Sequence, residues 1–249
     1  MPCPYGRINV VYITGLRRSV RKCRIPARTV HGSRPTGRPS CGPGSTRTAH
    51  QESTQFPEKI GEVIEARTGE FVAECYELHS PPPLGSLVRT GDGGVAIYGV
   101  VCNASTESID PGRRPLARGR DEADEENIYR QNPQLSRLLR TTFQTLLIGH
   151  GEGDELRHYL SPRPPRVHSF VYLCEPGEVR RFTLSLDFLS LLLNAGAGQT
   201  DEVVAACLRQ AGSAHEDSRA FLVRAGKELA VLLGGELNRL NAILRRIKQ

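Results

Sequence analysis

Residues 60–110, IGEVIEARTGEFVAECYELHSPPPLGSLVRTGDGGVAIYGVVCNASTESID, alternate short apolar runs with turn-forming residues. Thr68-Gly69 and the glycines at 93–94 separate runs rich in Val, Ile and aromatic residues, which is typical of strands joined by tight turns. Three consecutive prolines at 81–83, followed by Gly85, form a stiff corner in the middle of the stretch. The pattern predicts four strands, at residues 60–64, 71–75, 86–89 and 95–101.

The region after these strands is predicted to hold an inserted helix. Residues 105–126 are polar, with a Pro-Gly turn and neighbouring blocks of opposite charge, and we expect a connection there. A helical pattern runs over residues 125–147 with a break near Pro133. Residues 141–148 could equally form a strand, because they are rich in β-branched and aromatic side chains.

Two further extended runs, at residues 156–160 and 167–174, complete the predicted sheet, and Pro176-Gly177 is expected to end the last strand. Antiparallel strands that close on themselves leave no exposed edge, which suits short strands with Pro/Gly corners. The fold class predicted from the sequence is a β-barrel plus α. It consists of a six-stranded small β-barrel with an inserted helix over residues 56–183 and a C-terminal helical segment over residues 184–249.

After the last strand the apolar spacing becomes helical. Residues 186–193 are apolar almost all round, which predicts a short buried helix. Thr200 is a suitable N-cap for a second helix. Ser213 and Glu216 have the spacing of a capping box at the start of a long final helix. A glycine in a helix interior costs about 1 kcal/mol relative to alanine, so the pair at 234–235 predicts a kink in that helix.

The final helix carries a narrow apolar seam whose leucines recur in steps of four and three, as in a heptad pattern. Basic residues flank the seam. One interpretation is a coiled-coil contact between chains, which would make this a self-associating protein. The alternative is that the seam packs on the short helices of its own chain. The candidate interaction residues are Leu233, Leu237, Leu240, Leu244 and Ile247.

The positive charge of the chain is concentrated at one end. Residues 1–55 hold ten Arg and Lys residues and one acid, Glu52, whereas the remaining residues hold 23 basic and 26 acidic residues. Residues 1–55 also contain few apolar side chains after Leu16, so we expect a disordered tail. An organelle transit peptide and a start codon set too far upstream are alternatives. The acidic body weakens the usual inference from a high isoelectric point to nucleic-acid binding.

The cysteines indicate a reducing compartment. None of the seven stands in a Cys-x-x-Cys pair, which predicts free thiols and a cytoplasmic protein. No apolar run approaches the roughly 18 residues that a membrane span requires, so we expect no membrane partner. The cysteines expected to be buried in the body are Cys75, Cys102, Cys174 and Cys207.

The sequence carries no recognisable catalytic or cofactor motif. A phosphate-binding loop is not expected, because the only Gly-Lys pair, Gly226-Lys227, lies inside a helical pattern. The histidines His150, His158 and His168 could meet in space, but their spacing is not that of a zinc site. No serine stands in a Gly-x-Ser-x-Gly elbow. The sequence therefore predicts a protein that is not an enzyme and has no cofactor and no metal.

Three segments resemble the HAS-barrel family in their order along the chain. They are IGEVI at 60–64, PLGSLV at 83–88 and IYGVV at 97–101, with LIG at 147–149 and PRPP at 162–165 continuing the match. This family is the small β-barrel shared by HerA-type DNA-translocating ATPases and the N-terminal part of the catalytic-ring subunits of rotary ATP synthases. The resemblance covers residues 57–183, about half of the chain.

The resemblance implies a barrel that helps to assemble or dock a protein complex, in a stand-alone member without the ATPase domain. No ATPase residue can be carried over, since the phosphate loop and catalytic acid of that domain have no counterpart here. The expected function is a non-enzymatic assembly or docking module, which could work beside an ATPase encoded elsewhere. The alternative is a nucleic-acid-associated protein that uses the basic tail.

Overall fold

The computed structural model describes residues 58–248, apart from residues 93, 154 and 197–198. The predictions for residues 1–55 therefore lie outside the described residues. Within them, seven strands are formed: β1 (Lys59–Ala66), β2 (Glu70–Cys75), β3 (Leu87–Asp92), β4 (Val95–Ser108), β5 (Leu139–Glu152), β6 (Glu155–Arg157) and β7 (Phe170–Leu173). The helices are α1 (Glu125–Gln131), α2 (Leu135–Leu138), α3 (Pro176–Phe182), α4 (Phe188–Leu193), α5 (Thr200–Ala214), α6 (Ser218–Leu232) and α7 (Leu237–Ile247).

Six strands close into a barrel in the order β2-β1-β7-β3-β4-β5, and β5 pairs back to β2. Every pairing in this ring is antiparallel. The strand β6 adds to β5 as a hairpin outside the ring. The predicted six-stranded barrel with an inserted helix and a C-terminal helical segment is confirmed, although β5 takes the place in the ring that was predicted for the run at 156–160.

Part of the barrel sheet has apolar side chains on both its inner and its outer face. Alternate residues of each strand point inward, where Val63, Val88, Ile97 and Val171 form the barrel core. On β3, β4 and β5 several outward positions are apolar as well, among them Leu87, Val100 and Ile148, and they pack against the helices. Because strands buried on both faces lose the polar alternation of a one-sided sheet, β4 and β5 contain nearly continuous apolar runs.

The second core joins the barrel to the C-terminal helices. Leu87 and Val100 point outward from the barrel into it, and Leu189 and Leu208 enter it from α4 and α5. The strand residues Leu87, Val88, Ile97, Val100 and Val171 are all buried, and they divide between the two cores. The core is thus continuous across the boundary predicted at residue 184.

The proline corner is where α5 comes closest to the barrel. Gly85 has φ of +81°, and a Cβ atom at this position would lie 2.4 Å from the carbonyl carbon of Ala206 and 2.4 Å from the amide nitrogen of Cys207. Glycine alone allows both this backbone conformation and this approach. The corner therefore fixes the distance between the barrel and α5.

The longest strands extend further than predicted. The predicted connection at 105–126 begins four residues too early, since β4 continues to Ser108, which pairs with Leu139 of β5. The predicted helix over 125–147 is wrong beyond Leu138, and the strand alternative for 141–148 is correct. Here β5 gains partners on both sides, β2 and β4, and this pairing overrides the local helical spacing.

Five helices follow the barrel in the described residues, two more than predicted, and their caps differ from the predicted ones. Pro176 opens α3 at its first turn, a favoured position for proline, instead of ending the region as a turn. The residue before α5 is Gln199, so Thr200 is its first helical residue. Asp217 caps α6 by accepting a hydrogen bond of 2.8 Å from the backbone N–H of Ala220. The predicted kink is a full break between α6 and α7.

Candidate docking surface

The predicted interaction seam lies mostly inside the chain's own core. Leu233, Leu240 and Ile247 are buried, and Leu244 packs partly buried against the same core. Leu237 differs, since 68% of its surface is exposed. The geometry favours the alternative in which the seam packs within the chain, and self-association through Leu237 stays a prediction.

The basic residues beside the seam also have partners within the chain. Arg239 Nε lies 2.7 Å from Asp201 Oδ1, and Arg246 Nε lies 2.8 Å from Glu202 Oε2. Arg209 Nη1 donates a hydrogen bond of 2.6 Å to the carbonyl oxygen of Arg246. The acids at the start of α5 therefore hold α7 through Arg239 and Arg246.

Among residues 58–248, no described helix packs on a different surface of the barrel. The helices pack on β3, β4 and β5, whereas the outward positions of β2, β1 and β7 contribute no side chain to the core that joins barrel and helices. We call these outward side chains the β1 wall. It consists of Lys59, Glu62, Glu74, Tyr76, Phe170 and Tyr172.

Two carboxylates stand opposite each other at the centre of the β1 wall. Glu62 and Glu74 are cross-strand partners on β1 and β2, and like charges placed directly opposite destabilise an antiparallel pair. Glu62 is held by two neighbours: Tyr76 donates its hydroxyl to Oε2 at 3.3 Å, and the Nδ1 atom of His168 contacts Oε1. These two contacts therefore fix the position of the Glu62 carboxylate.

Aromatic rings flank the carboxylates and already bind cations of the chain. Lys59 Nζ lies 3.7 Å from the centre of the Phe170 ring, and the Arg89 guanidinium lies 4.9 Å from the centre of the Tyr172 ring. Phe170 is 43% exposed and Tyr76 is 50% exposed. Partial burial, and then the charge of Glu62, raises the pKa of the Tyr76 hydroxyl, which stays protonated and able to donate.

The β1 wall is acidic as well as aromatic. Residues 58–77, which form β1, β2 and their flanks, contain six glutamates against Lys59 and Arg67. Arg67 is already paired with Glu70, at 2.6 Å between Nη1 and Oε1. The sequence shows these glutamates, but the wall itself depends on the pairing of β1 with β7, which is more than 100 residues away along the chain. Local pattern reasoning therefore missed it.

The three histidines considered for a metal site have separate partners. His150 Nδ1 lies 3.1 Å from the carbonyl oxygen of Tyr159, and His158 Nε2 lies 2.9 Å from that of Phe182. His168 binds Glu62. Within residues 58–248, as far as the structure describes them, no three metal-ligating side chains come together.

The thiols of the body are buried and free. Burial raises the pKa of Cys75 and of Cys102 to about 11, and that of Cys207 to about 12. Burial also raises the pKa of Cys174 well above its ordinary value. A thiol that is not ionised is a poor nucleophile, so these residues behave as apolar packing groups.

None of the helices in the described part of the chain has the length and apolar character needed to cross a membrane. No protein-family model matches the chain, and no curated protein matches it.

Proposed function

We propose that this chain is a cytoplasmic, non-enzymatic docking module, and that its β1 wall binds an arginine- or lysine-bearing segment of a protein partner. The observation that carries the proposal is the division of the barrel surface. One side is covered by the chain's own helices, and the other presents Tyr76, Phe170 and Tyr172 around the Glu62–Glu74 pair. Aromatic side chains are enriched at the centres of protein interfaces.

The basic character of the partner follows from charge complementarity. A guanidinium can bind a carboxylate through two hydrogen bonds and can also lie over an aromatic ring. The chain uses this second contact itself, with Arg89 over Tyr172. A partner cation placed between Glu62 and Glu74 would also relieve their repulsion, which the folded chain alone leaves only partly compensated.

The partner is expected to contact the side chains of the β1 wall rather than to add a strand to the sheet. The barrel ring is closed, so β1, β2 and β7 are each already paired with two neighbouring strands. Among the described strands, the one at an edge is β6, which is three residues long and begins and ends with charged residues, and this disfavours strand addition.

The resemblance to HAS barrels supports an assembly role and makes an ATPase encoded elsewhere the first partner to test. The resemblance supplies no contact residue for such a complex. The aromatic and acidic composition of the β1 wall is the basis on which the contact is proposed.

The test compares capture by three forms of the full chain: wild type, Tyr76→Ser with Phe170→Ser, and the control Leu116→Ser. Leu116 is 78% exposed on the insert, and it lines a pocket to which no residue of the β1 wall contributes. The proposal requires a protein that binds wild type and control, is lost from the double variant, and binds more weakly as salt rises. Equal capture by all three forms, with circular dichroism showing that each is folded, would exclude the β1 wall as the docking site.

The nucleic-acid alternative depends on residues 1–55, because the rest of the chain holds more acids than bases. It predicts DNA binding whose affinity falls steeply with salt and disappears when residues 1–55 are removed. Binding to DNA that persists without those residues would contradict it.

A further inference from the structure

A second concave site lies at one end of the barrel, away from the β1 wall. It is a cleft of about 470 Å³ between the ends of β4 and β5, the strand β6 and the connector at 161–166. Its volume lies within the range of about 300–1,000 Å³ that is typical of small-molecule sites, and mouths of barrels are common places for them. Nothing in the proposed docking function uses this cleft.

A histidine occupies an inward position at this end of the barrel. His150 pairs across the sheet with Ile97, which belongs to the barrel core, and only 6% of its surface is exposed. Its Nδ1 donates to the carbonyl oxygen of Tyr159, because a carbonyl can only accept. The other nitrogen, Nε2, is then the polar atom that this buried ring can offer to a molecule in the cleft.

A buried serine lines the cleft beside the histidine. Ser161 is also 6% exposed, and its Oγ accepts a hydrogen bond of 3.4 Å from the backbone N–H of Arg163. A serine hydroxyl can donate while it accepts. The cleft thus has two nearly buried side chains, His150 and Ser161, that are able to orient a polar ligand.

The charge of the lining favours an anion. Three arginines, Arg157, Arg163 and Arg166, stand around the cleft against one lining acid, Glu152. Arg157 is paired with Glu155 at 2.8 Å, but both side chains are largely exposed and such pairs contribute little. Arg163 is exposed and makes no ion pair with another described residue, which leaves its guanidinium ready for a ligand.

The rest of the lining is apolar. Val95 and Ile97 contribute side chains from β4, and the rings of Pro162, Pro164 and Pro165 form the opposite side. A bare inorganic ion would leave this surface uncovered. An organic body attached to the anion would cover it and gain the free energy of burying apolar area.

We propose that this cleft binds a small organic oxyanion with two negative charges, such as a phosphate monoester. Arg163 and Arg157 hold the charged oxygens through the paired hydrogen bonds that guanidinium groups form with phosphate. His150 and Ser161 orient the head group, and the proline rings cover the organic body. No glycine-rich loop or helix N-terminus lines the cleft, so this is not a phosphate-binding loop of the nucleotide-hydrolysing kind.

The experiment is calorimetric titration of the full chain with phenyl phosphate, with benzoate and inorganic phosphate as comparison probes. We expect saturable binding of phenyl phosphate, weaker binding of benzoate because it carries one charge, and weaker binding of inorganic phosphate because it lacks the apolar body. Arg163→Gln should lower the affinity for phenyl phosphate by about tenfold or more, as expected for loss of a charged hydrogen-bond donor.

Arg113→Gln is the matched control, because Arg113 is an exposed arginine on the insert outside this cleft. The control should bind phenyl phosphate as the wild type does. The proposal is overturned if phenyl phosphate gives no saturable heat at millimolar concentration, or if Arg163→Gln binds as tightly as the control. It is equally overturned if only a single-stranded DNA probe binds in an Arg163-dependent way, because the site would then serve a nucleic-acid backbone.

Discussion

The guanidinium Nε of Arg239 lies 2.7 Å from Oδ1 of Asp201, which joins the last helix to the first turn of α5. The hydrogen bond with this carboxylate is the main reason that the pKa of Arg239 is raised above its ordinary value. The same guanidinium also contacts Glu236 and the carbonyl oxygen of Leu193 at the end of α4. Arg239 thus fixes how α7 sits on the helices before it.

Two residues of the predicted seam should respond differently to a charge. Leu240→Glu should destabilise the chain by at least about 2 kcal/mol, because it forces a carboxylate into the core. Leu237→Glu should leave stability unchanged, because Leu237 is exposed at the first turn of α7, where an acid is favoured by the helix dipole. Urea unfolding of both variants measures the difference.

The same variants separate the two interpretations of the seam. Light scattering should give Leu237→Glu and the wild type the same mass if α7 packs only within its chain. An oligomeric wild type that becomes a folded monomer with Leu237→Glu would show that α7 also joins chains.

The two cores should be equally sensitive to truncation. Leu87 lies in the core between barrel and helices and Ile97 in the barrel core. Leu87→Ala and Ile97→Ala should each cost about 2–5 kcal/mol in the free energy of unfolding, the usual range for buried aliphatic side chains. Chemical denaturation with Leu116→Ala as an exposed control tests this, and a cost below about 1 kcal/mol at either site would show that its core is misplaced.

One substitution in the barrel should not destabilise it. Thr145 is fully buried, and its hydroxyl has no hydrogen-bond partner among the described residues. Valine has nearly the same shape without the polar atom, so Thr145→Val should be neutral or should raise stability by about 1 kcal/mol. A clear loss of stability in thermal unfolding would mean that the hydroxyl is satisfied, for example by a buried water.

Acid should weaken the contact between α3 and α6 through His215. Partial burial, followed by the charges of Arg224 and Arg180, lowers the pKa of His215. The ring stacks on Phe221, and its Nε2 lies 2.8 Å from Thr183 Oγ1. Because the unfolded state binds the proton more readily, stability is full above the unfolded pKa of about 6.5 and falls as pH drops through the folded pKa.

The measurement is the thermal midpoint of wild type and His215→Gln from pH 8 to pH 5. The wild type should lose more of its midpoint on acidification than the variant. Parallel curves would assign the acid sensitivity to other groups.

The buried thiols should resist alkylation until the chain unfolds. At pH 8 a cysteine with a pKa near 11 or 12 is almost entirely protonated. Iodoacetamide should therefore label Cys75, Cys102, Cys174 and Cys207 at least about tenfold more slowly in the native chain than in guanidinium, as followed by peptide mass spectrometry. Fast native labelling of Cys207 would contradict its place in the core.

The barrel could be predicted because its turns are encoded locally. Prolines and glycines mark the corners between β1 and β4, and each run between them is short and rich in β-formers. The strand β5 could not be assigned with the same security, because its leucines also fit a helix. What decides its conformation is pairing with β2 and β4, a property of the assembled barrel.

The candidate sites are harder to predict from the sequence than the fold is. The seam leucines were identified, but their spacing alone does not distinguish contacts within a chain from contacts between chains. The β1 wall and the arginine-lined cleft each combine residues from distant parts of the chain, such as Glu62 with His168 and Ile97 with His150. Neither combination has a sequence spacing that could have marked it.

The close approach of Gly85 to α5 implies that the barrel cannot be separated from its helices when genes recombine. A gene fragment ending after residue 183 would encode the barrel without the helices that α5 anchors at this corner. Leu87, Val100 and Ile148 would then face water as one apolar patch, and a patch of that kind promotes aggregation. Recombination between genes should therefore move this barrel and its helices together, as a single heritable unit.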